Sequence, residues 1–331
     1  MSMDARKHIL LIRLKSIGDI LFTLPAVHAV RENHPEAKIH FLVSRENAPL
    51  LRGFAEIDEV VPFDRAAFRS GNIPAVCLGA FRLVRQLKER GFSLAIDFQG
   101  YGETAWLSWL SAAPERWGDR QRGSRAWAYT NGISRDVAVH PADWNLSLLR
   151  RCGLRIGEIR NEYVLPADSL NEARNFFAAN NLQADKSTLF FQPFTSSPHK
   201  NWPLEKFLEV ARHFRSRGAQ IVFGGGPSER AALAPALAEG FAVSAGAPLL
   251  VTAGLIKLST LAVGADTGLL HLAVAMGKRA VMLMLSTAPG QTHPFQHADW
   301  AITPPQGEQV SEISTAEVIA VCRQAVGSIT E

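Results

Sequence analysis

Leu261-Ala-Val-Gly-Ala-Asp-Thr-Gly-Leu-Leu-His-Leu-Ala-Val-Ala-Met-Gly277 runs from a small apolar segment through a polar break, Asp266-Thr267-Gly268, into a second apolar segment. The short run before the break suits a strand buried on both faces, and the longer run after it suits a helix packed on that strand. The break then stands at the carboxyl end of a strand and the start of a helix, where open backbone N–H groups and the helix dipole favour an anion. His271 follows Thr267 by four residues on the same helix face, so it either shares that site or is a satisfied core histidine.

The same strand, polar turn and helix sequence recurs outward in both directions. Strands are expected at Ile9 to Leu14, Lys38 to Val43, Glu59 to Pro62, Leu94 to Phe98, Thr188 to Gln192, Gln220 to Gly224, Ala242 to Ser244, Leu261 to Ala265 and Ala280 to Leu283. Helices are expected at Asp19 to Asn33, Ala48 to Leu51, Ala80 to Arg90, Thr104 to Leu110, Leu204 to Arg217, Ser228 to Glu239, Leu249 to Lys257, Thr267 to Met276 and Thr315 to Ser328. The segment from Glu162 through the polar stretch Asn175 to Ser187 reads as a connector plus one helix, which puts a domain boundary near residue 166. This is an α/β chain of two units with mostly parallel sheets, and ligands of such sheets bind beyond the strands' carboxyl ends.

Composition agrees with two globular units. With 331 residues, 47% hydrophobic and 20% charged, the chain has the makings of large cores, which excludes a disordered or fibrous protein. The net charge of +4 is too weak to announce a nucleic-acid partner. It is unevenly placed: residues 1–166 carry 23 basic and 18 acidic side chains, whereas 167–331 carry 12 and 13, so an anionic partner is expected on the first half. Cys77, Cys152 and Cys322 are far apart without a Cys/His cluster, which points to no disulfide framework, no structural zinc and a reducing cytosol. No stretch has the apolar length of a signal sequence or a membrane span, so a soluble protein is expected, with peripheral membrane contact left open.

Three further loops have the residue types of a binding site. Arg13-Leu-Lys-Ser-Ile-Gly-Asp-Ile-Leu-Phe-Thr-Leu-Pro25 places Asp19 at a helix start, where a carboxylate is either an N-terminal cap or a general base. Phe190-Phe-Gln-Pro-Phe-Thr-Ser-Ser-Pro-His-Lys-Asn-Trp-Pro203 offers Thr195, Ser196 and Ser197 as hydroxyl donors and Lys200 as a point charge for a diphosphate. Ile221-Val-Phe-Gly-Gly-Gly-Pro-Ser-Glu-Arg230 is neither a dinucleotide fingerprint nor a Walker A sequence, and reads as a tight turn from which Glu229 can reach a ribose hydroxyl.

Taken together, these blocks resemble the glycosyltransferase family 9 heptosyltransferases: Lys-Ser-Ile-Gly-Asp-Ile-Leu-Phe-Thr-Leu-Pro-Ala at 15–26, Asp-Phe-Gln-Gly at 97–100, His140, Lys-Asn-Trp-Pro at 200–203 and Asp-Thr-Gly-Leu-Leu-His-Leu-Ala at 266–273. The resemblance implies a GT-B fold of two facing Rossmann-like domains, with the acceptor on residues 1–166, the sugar nucleotide on 167–331, and the last helix free to pack back on the first domain. It implies inverting, metal-independent transfer of heptose from ADP-heptose to a lipid-linked lipopolysaccharide acceptor, with no cofactor, at the cytoplasmic face of the inner membrane. By the same resemblance Asp19 is the base, and Lys200 with Thr195 and Ser196 steadies the departing diphosphate. Asp266, Thr267, Gly268 and His271 complete the donor site, with Asp266 orienting donors rather than touching phosphate, and Glu229 takes the ribose. Acceptor contacts are expected from Ser16, Gln99, Arg116 and Arg120.

One departure is Glu103, where the family's pattern often has a basic residue after the Gln-Gly pair; it weighs against the usual acidic acceptor sugar. The stretch Arg116 to Arg125, with four arginines, is either a compensating anion site or a solvated basic loop. Trp106, Trp109, Trp117 and Trp127 lie in the same region and suit a sugar platform, a membrane contact or core. Two other functions remain compatible with these residues: a GT-B nucleotide-sugar epimerase, and a non-catalytic nucleotide- or glycan-binding protein.

Overall fold

The computed structural model describes residues 7–65, 73–120, 123–286, 288, 292–305 and 309–330. The chain divides into two compact units, Met1–Asn161 and Glu162–Glu331. The first contains β1 (His8–Ile12), α1 (Ile17–Leu21), α2 (Leu24–Asn33), β2 (Lys38–Ser44), β3 (Glu59–Phe63), α3 (Ile73–Glu89), β4 (Leu94–Asp97), α4 (Gly102–Leu110), β5 (Glu115–Asp119), β6 (Asn131–Ile133) and α5 (Pro141–Arg151). Its strands form one parallel sheet in the order β3-β2-β1-β4-β5-β6, with Ile9 opposite both Ile39 and Leu94.

The second unit contains α6 (Ala167–Ala179), β7 (Thr188–Gln192), α7 (Leu204–Arg215), β8 (Gln220–Gly225), α8 (Ala234–Ala238), β9 (Ala242–Ala245), α9 (Leu249–Leu258), β10 (Leu261–Ala265), α10 (Gly268–Ala275), β11 (Ala280–Leu283), β12 (Ala301–Ile302) and α11 (Thr315–Thr330). Its parallel sheet, β12-β11-β10-β7-β8-β9, repeats the connectivity of the first when counted from its own first strand. In both sheets the order reverses beside the first strand, at β1/β4 and at β7/β10, the place where doubly wound sheets open a ligand crevice.

The apolar strands are central because helices cover both of their faces. All five residues of β7 and of β10 are buried. Helix α7 shows the matching pattern, turning Phe207, Leu208, Val210, Ala211 and Phe214 inward at helical spacing. They join Phe191, Trp202 and Phe223 in one core, to which α11 adds Val318, Cys322 and Ala325.

Several elements differ from expectation, each for a local reason. The helix expected over Asp19 to Asn33 is broken: the Thr23 hydroxyl donates to the Ile20 carbonyl at 2.6 Å, and Pro25 enters the first turn of α2, where its missing N–H costs nothing. Ala48 to Leu51 lies in a 3-10 helix, Arg45–Gly53, which contains Pro49. The helix expected over Ser228 to Glu239 is a 3-10 turn at Pro227–Glu229 followed by the short α8. The connector helix lies earlier than Asn175 to Ser187, at α6. Strands β5, β6 and β12 and helix α5 are additions to the expected set; β5 reads Glu-Arg-Trp-Gly-Asp, and a polar edge-side strand gives no apolar run. The Arg116 to Arg125 stretch is therefore largely strand and 3-10 helix (Gly123–Ala128) rather than a loop, and Arg122 lies outside the described residues.

Gly264 shows how closely the second switch point is built. It pairs with Gln192 across β10 and β7, and a Cβ there would stand 2.6 Å from the Gln192 carbonyl oxygen and 3.0 Å from the Leu270 side chain. Gly264→Ala should therefore destabilise the protein by about 1–3 kcal/mol in a urea titration. An unchanged midpoint would contradict this packing.

Candidate active site

In the first unit the site grows from the ends of β1 and β4. Arg13 follows β1 and is only 4% exposed, so its charge needs partners on every side. Nη1 donates to the Phe98 carbonyl at 2.7 Å, Nε to the Lys15 carbonyl at 3.1 Å, and Nη2 pairs with Asp19 Oδ1 at 2.7 Å. Asp19 is the third residue of α1. Its Oδ2 accepts from the Ser16 N–H at 3.1 Å and the Ser16 hydroxyl at 3.2 Å, so it is a cap as well as an ion-pair partner. Burial alone would raise its pKa; the Arg13 charge and the bonds from Ser16 outweigh burial and hold the carboxyl below its usual value. The Asp19 side chain is still 32% exposed, which leaves one face of an ionised carboxylate open.

Gln99 and Asp97 fix the neighbouring turn. Gln99 Oε1 accepts from the Leu14 N–H at 2.9 Å, tying the β4 turn to the end of β1. Asp97 is fully buried and receives the N–H groups of Gln99 and Gly100 and the Tyr129 hydroxyl, the last at 2.7 Å. Burial pushes its carboxyl up in spite of these donors. Gly100 makes the turn with φ +67, and a Cβ there would lie 2.9 Å from the Asp119 side chain. From the other side, His140 caps α5 by accepting the Ala142 N–H and packs edge-on against Phe22, while Asn145 Nδ2 donates to the Phe22 carbonyl at 2.9 Å. Helix α5 thus braces the break that sets the direction of α1.

In the second unit β7, β10 and α10 gather a second charged group. Asp266 Oδ2 takes Lys200 Nζ at 2.7 Å and the Thr292 hydroxyl at 3.2 Å, while Oδ1 meets His271 Nε2 at 3.1 Å. Burial would raise the Asp266 pKa, but the His271 and Lys200 contacts bring it down to about 2. No side chain caps α10, so its first N–H groups stay open beside this cluster. The Thr267 hydroxyl is buried there without a hydrogen-bond partner among the described residues, as is Gln192 Oε1 at the end of β7. Lys200 is 41% exposed and can reach a ligand without leaving Asp266.

A family profile described as "Glycosyltransferase family 9 (heptosyltransferase)" matches residues 80–317. The chain belongs to glycosyltransferase family 9. It is 23% identical over 307 residues to the lipopolysaccharide core heptosyltransferase OpsX of Haemophilus influenzae, a match covering 89% of this chain and 84% of the relative. Among solved structures it resembles a family 9 glycosyltransferase of Veillonella parvula, with a TM-score of 0.87 at 21% identity over 99% of this chain and 100% of the other. It also resembles the Escherichia coli heptosyltransferase WaaC with ADP, with a TM-score of 0.77 at 22% identity over 96% of this chain and 99% of that one. These likenesses give the glycosyltransferase its GT-B fold.

In this glycosyltransferase several expected ligand contacts are occupied by the fold itself. The Arg116 guanidinium donates to the carbonyls of Ala128 and Ala113, tying the segments on either side of β5 to the strand. That placement does not bring Arg116 to Asp19; Arg120 is exposed at the end of β5. Thr195 Oγ1 donates to the Ser197 carbonyl and accepts its N–H, shaping the loop, while Ser196 is exposed. Glu229 Oε2 accepts the Gly226 N–H at 2.6 Å, leaving its second oxygen for a ligand. Glu103 is held in a fork by Arg65, with Nε and Nη2 at 3.1 and 2.9 Å, so its charge is balanced within the unit. Arg13 beside Asp19 in the first unit, and Gln192 and Thr292 near or on Asp266 in the second, lie outside the expected set; an arginine closing a buried strand is the one visible signal.

The Lys200 and Asp266 contact can be read by titration. Because the folded pKa of Asp266, about 2, lies below the ordinary 3.8, its pairing adds stability above the latter pH and loses it as pH falls through the former. Carbon-13 NMR should therefore find an Asp266 midpoint at about 2 in the native enzyme and a clearly higher one in Lys200→Met. A midpoint that does not move would show that Lys200 does not hold the carboxylate.

Proposed function

We propose that this family 9 enzyme transfers a heptose from ADP-heptose to a lipid-linked inner-core acceptor of lipopolysaccharide, inverting the anomeric centre without a metal or other cofactor. The observation that carries this reading is Asp19: an ionised, partly open carboxylate fixed at a switch point, as a general base for an acceptor hydroxyl must be. Donor and acceptor class are supported by the relatives, a lipopolysaccharide core heptosyltransferase and an enzyme solved with ADP and with ADP-2-deoxy-2-fluoro heptose.

In this reading the first unit holds the acceptor and the second the nucleotide sugar. The acceptor oxygen attacks the anomeric carbon, its proton passes to Asp19, and the bond from that carbon to the diphosphate oxygen breaks, releasing ADP. Ser16 and Gln99 keep the Asp19 loop in place for the approaching hydroxyl. Lys200, steered by Asp266, and the open N–H groups of α10 face the charge that grows on the diphosphate. The Thr267 hydroxyl is free to donate to the same group, and the second Glu229 oxygen suits a ribose hydroxyl.

Among the described residues no three His, Cys, Asp or Glu side chains converge as a metal site, and the Asp266 oxygens already meet Lys200, His271 and Thr292. In this scheme charge neutralisation is assigned to Lys200 and the other protein donors. A lipid-linked acceptor places the work at the cytoplasmic face of the inner membrane; no helix among the described residues is long and apolar enough to cross one.

Asp19→Asn should lower turnover by roughly 10²–10⁴-fold while ADP binding, measured by calorimetry, stays within about a factor of two. ADP release that needs no acceptor would favour a hydrolase instead, and an epimeric ADP-sugar formed without ADP release would favour an epimerase. Lost nucleotide affinity with unchanged turnover would remove Asp19 from the base role.

A further inference from the structure

The first unit exposes aromatic surface that its own fold does not use. Trp106 and Trp109 on α4 and Trp127 in the adjoining 3-10 helix are 54%, 47% and 44% exposed, yet their rings pack together with centroids 4.6 to 6.0 Å apart. Trp117 does not belong to this group; it is buried in β5. The buried Trp144 and Trp202 both donate their indole N–H groups to carbonyls. Among the described residues the three exposed indoles donate to none.

Helix α3, which packs on α4, has exposed apolar side chains of its own. Leu78 and Phe81 are 50% and 65% exposed, and Arg82 and Arg85 complete the same stripe at helical spacing. Glu103 of α4 is paired with Arg65, and Glu89 of α3 with Arg85, so both pairs are neutral and Arg82 carries the net positive charge of the stripe. Arg125 adds a guanidinium at the start of α4, with Nη1 on the Gly100 carbonyl.

We propose that this face, Trp106, Trp109 and Trp127 with the Leu78, Phe81, Arg82 stripe, docks the enzyme on an anionic phospholipid bilayer. Half-exposed indoles with open N–H groups are suited to the headgroup boundary, where the ring body meets acyl chains and the N–H meets ester or phosphate oxygens. Neighbouring arginines supply the attraction to anionic headgroups that an amphipathic surface needs for firm binding. A sugar platform fits less well, because the three rings turn toward one another in edge-to-face contacts rather than offering a flat face. The proposal rests on the lipid-linked acceptor proposed above, since the Gly100 turn at the start of α4 also borders the Asp19 loop through Gln99.

The test is co-sedimentation of the full-length enzyme with vesicles of phosphatidylethanolamine and phosphatidylglycerol, against vesicles of phosphatidylcholine alone, with tryptophan quenching by brominated lipid. The native enzyme should bind the anionic vesicles and be quenched. A Trp106→Ser, Trp109→Ser, Trp127→Ser variant should bind at least roughly tenfold more weakly while keeping its turnover on a water-soluble, delipidated acceptor. Arg82→Glu with Arg85→Glu, which leaves the indoles in place, should weaken binding to anionic vesicles alone and covers the case in which the triple variant does not fold.

Equal vesicle binding by native and variant enzymes would overturn the proposal. So would a variant that keeps vesicle binding but loses turnover on the soluble acceptor, which would make the face a sugar platform, or one that only abolishes self-association, which would make it a contact between two copies. Vesicle binding is read without catalysis, so failure of the heptose-transfer reading would be seen separately.

Discussion

A buried guanidinium fixes the geometry of the charged group in the first unit. Arg13 sits where β1 ends, and its three nitrogens reach three different parts of the unit: Nη1 holds the β4 end through Phe98, Nε holds the loop through Lys15, and Nη2 holds the carboxylate of Asp19. An unpaired charge in that position would be costly, so the loop, the first turn of α1 and the neighbouring strand are held to one arrangement. The same contact sets the state of Asp19. A low carboxyl pKa gives up some intrinsic basicity, and in return the group is ionised throughout the neutral range.

The second unit solves the complementary problem with the signs reversed. Here the carboxylate is the organiser: Asp266 positions Lys200, His271 and the Thr292 hydroxyl at the mouth of β10, where the uncapped end of α10 contributes open N–H groups. An acidic residue in the diphosphate site proposed above is reasonable on these terms, because its charge is engaged in holding Lys200. Both units place their charged groups at the reversal of strand order, so one topology, used twice, carries a fixed carboxylate in the first unit and a carboxylate-held lysine in the second.

How much of this is legible in the sequence follows from how local each interaction is. Strands β7 and β10 are continuous apolar runs and announce themselves; β5 and β6 are polar, short and visible only through their neighbours. Asp19, Lys200, Asp266 and His271 stand out because strand-to-helix turns concentrate polar residues among apolar ones. Their partners do not, since Arg13 meets Phe98 across 85 residues and Arg65 meets Glu103 across 38. Glu103 seen alone suggests a changed acceptor; paired with Arg65 it is a neutralised element of the first unit. Arg116 reads as a ligand contact and is a strand fastener, because carbonyls that accept its hydrogen bonds leave no mark in the sequence.

Whether Arg13 keeps Asp19 ionised as the base is most directly tested by the acid limb of the pH dependence of kcat/KM in the native enzyme and in Arg13→Gln. The native acid limb should lie below the ordinary carboxylate range, and the variant's should lie at clearly higher pH, because the partly buried carboxylate without the Arg13 charge takes up a proton more readily. Coincident acid limbs in the two enzymes would contradict this role for Arg13.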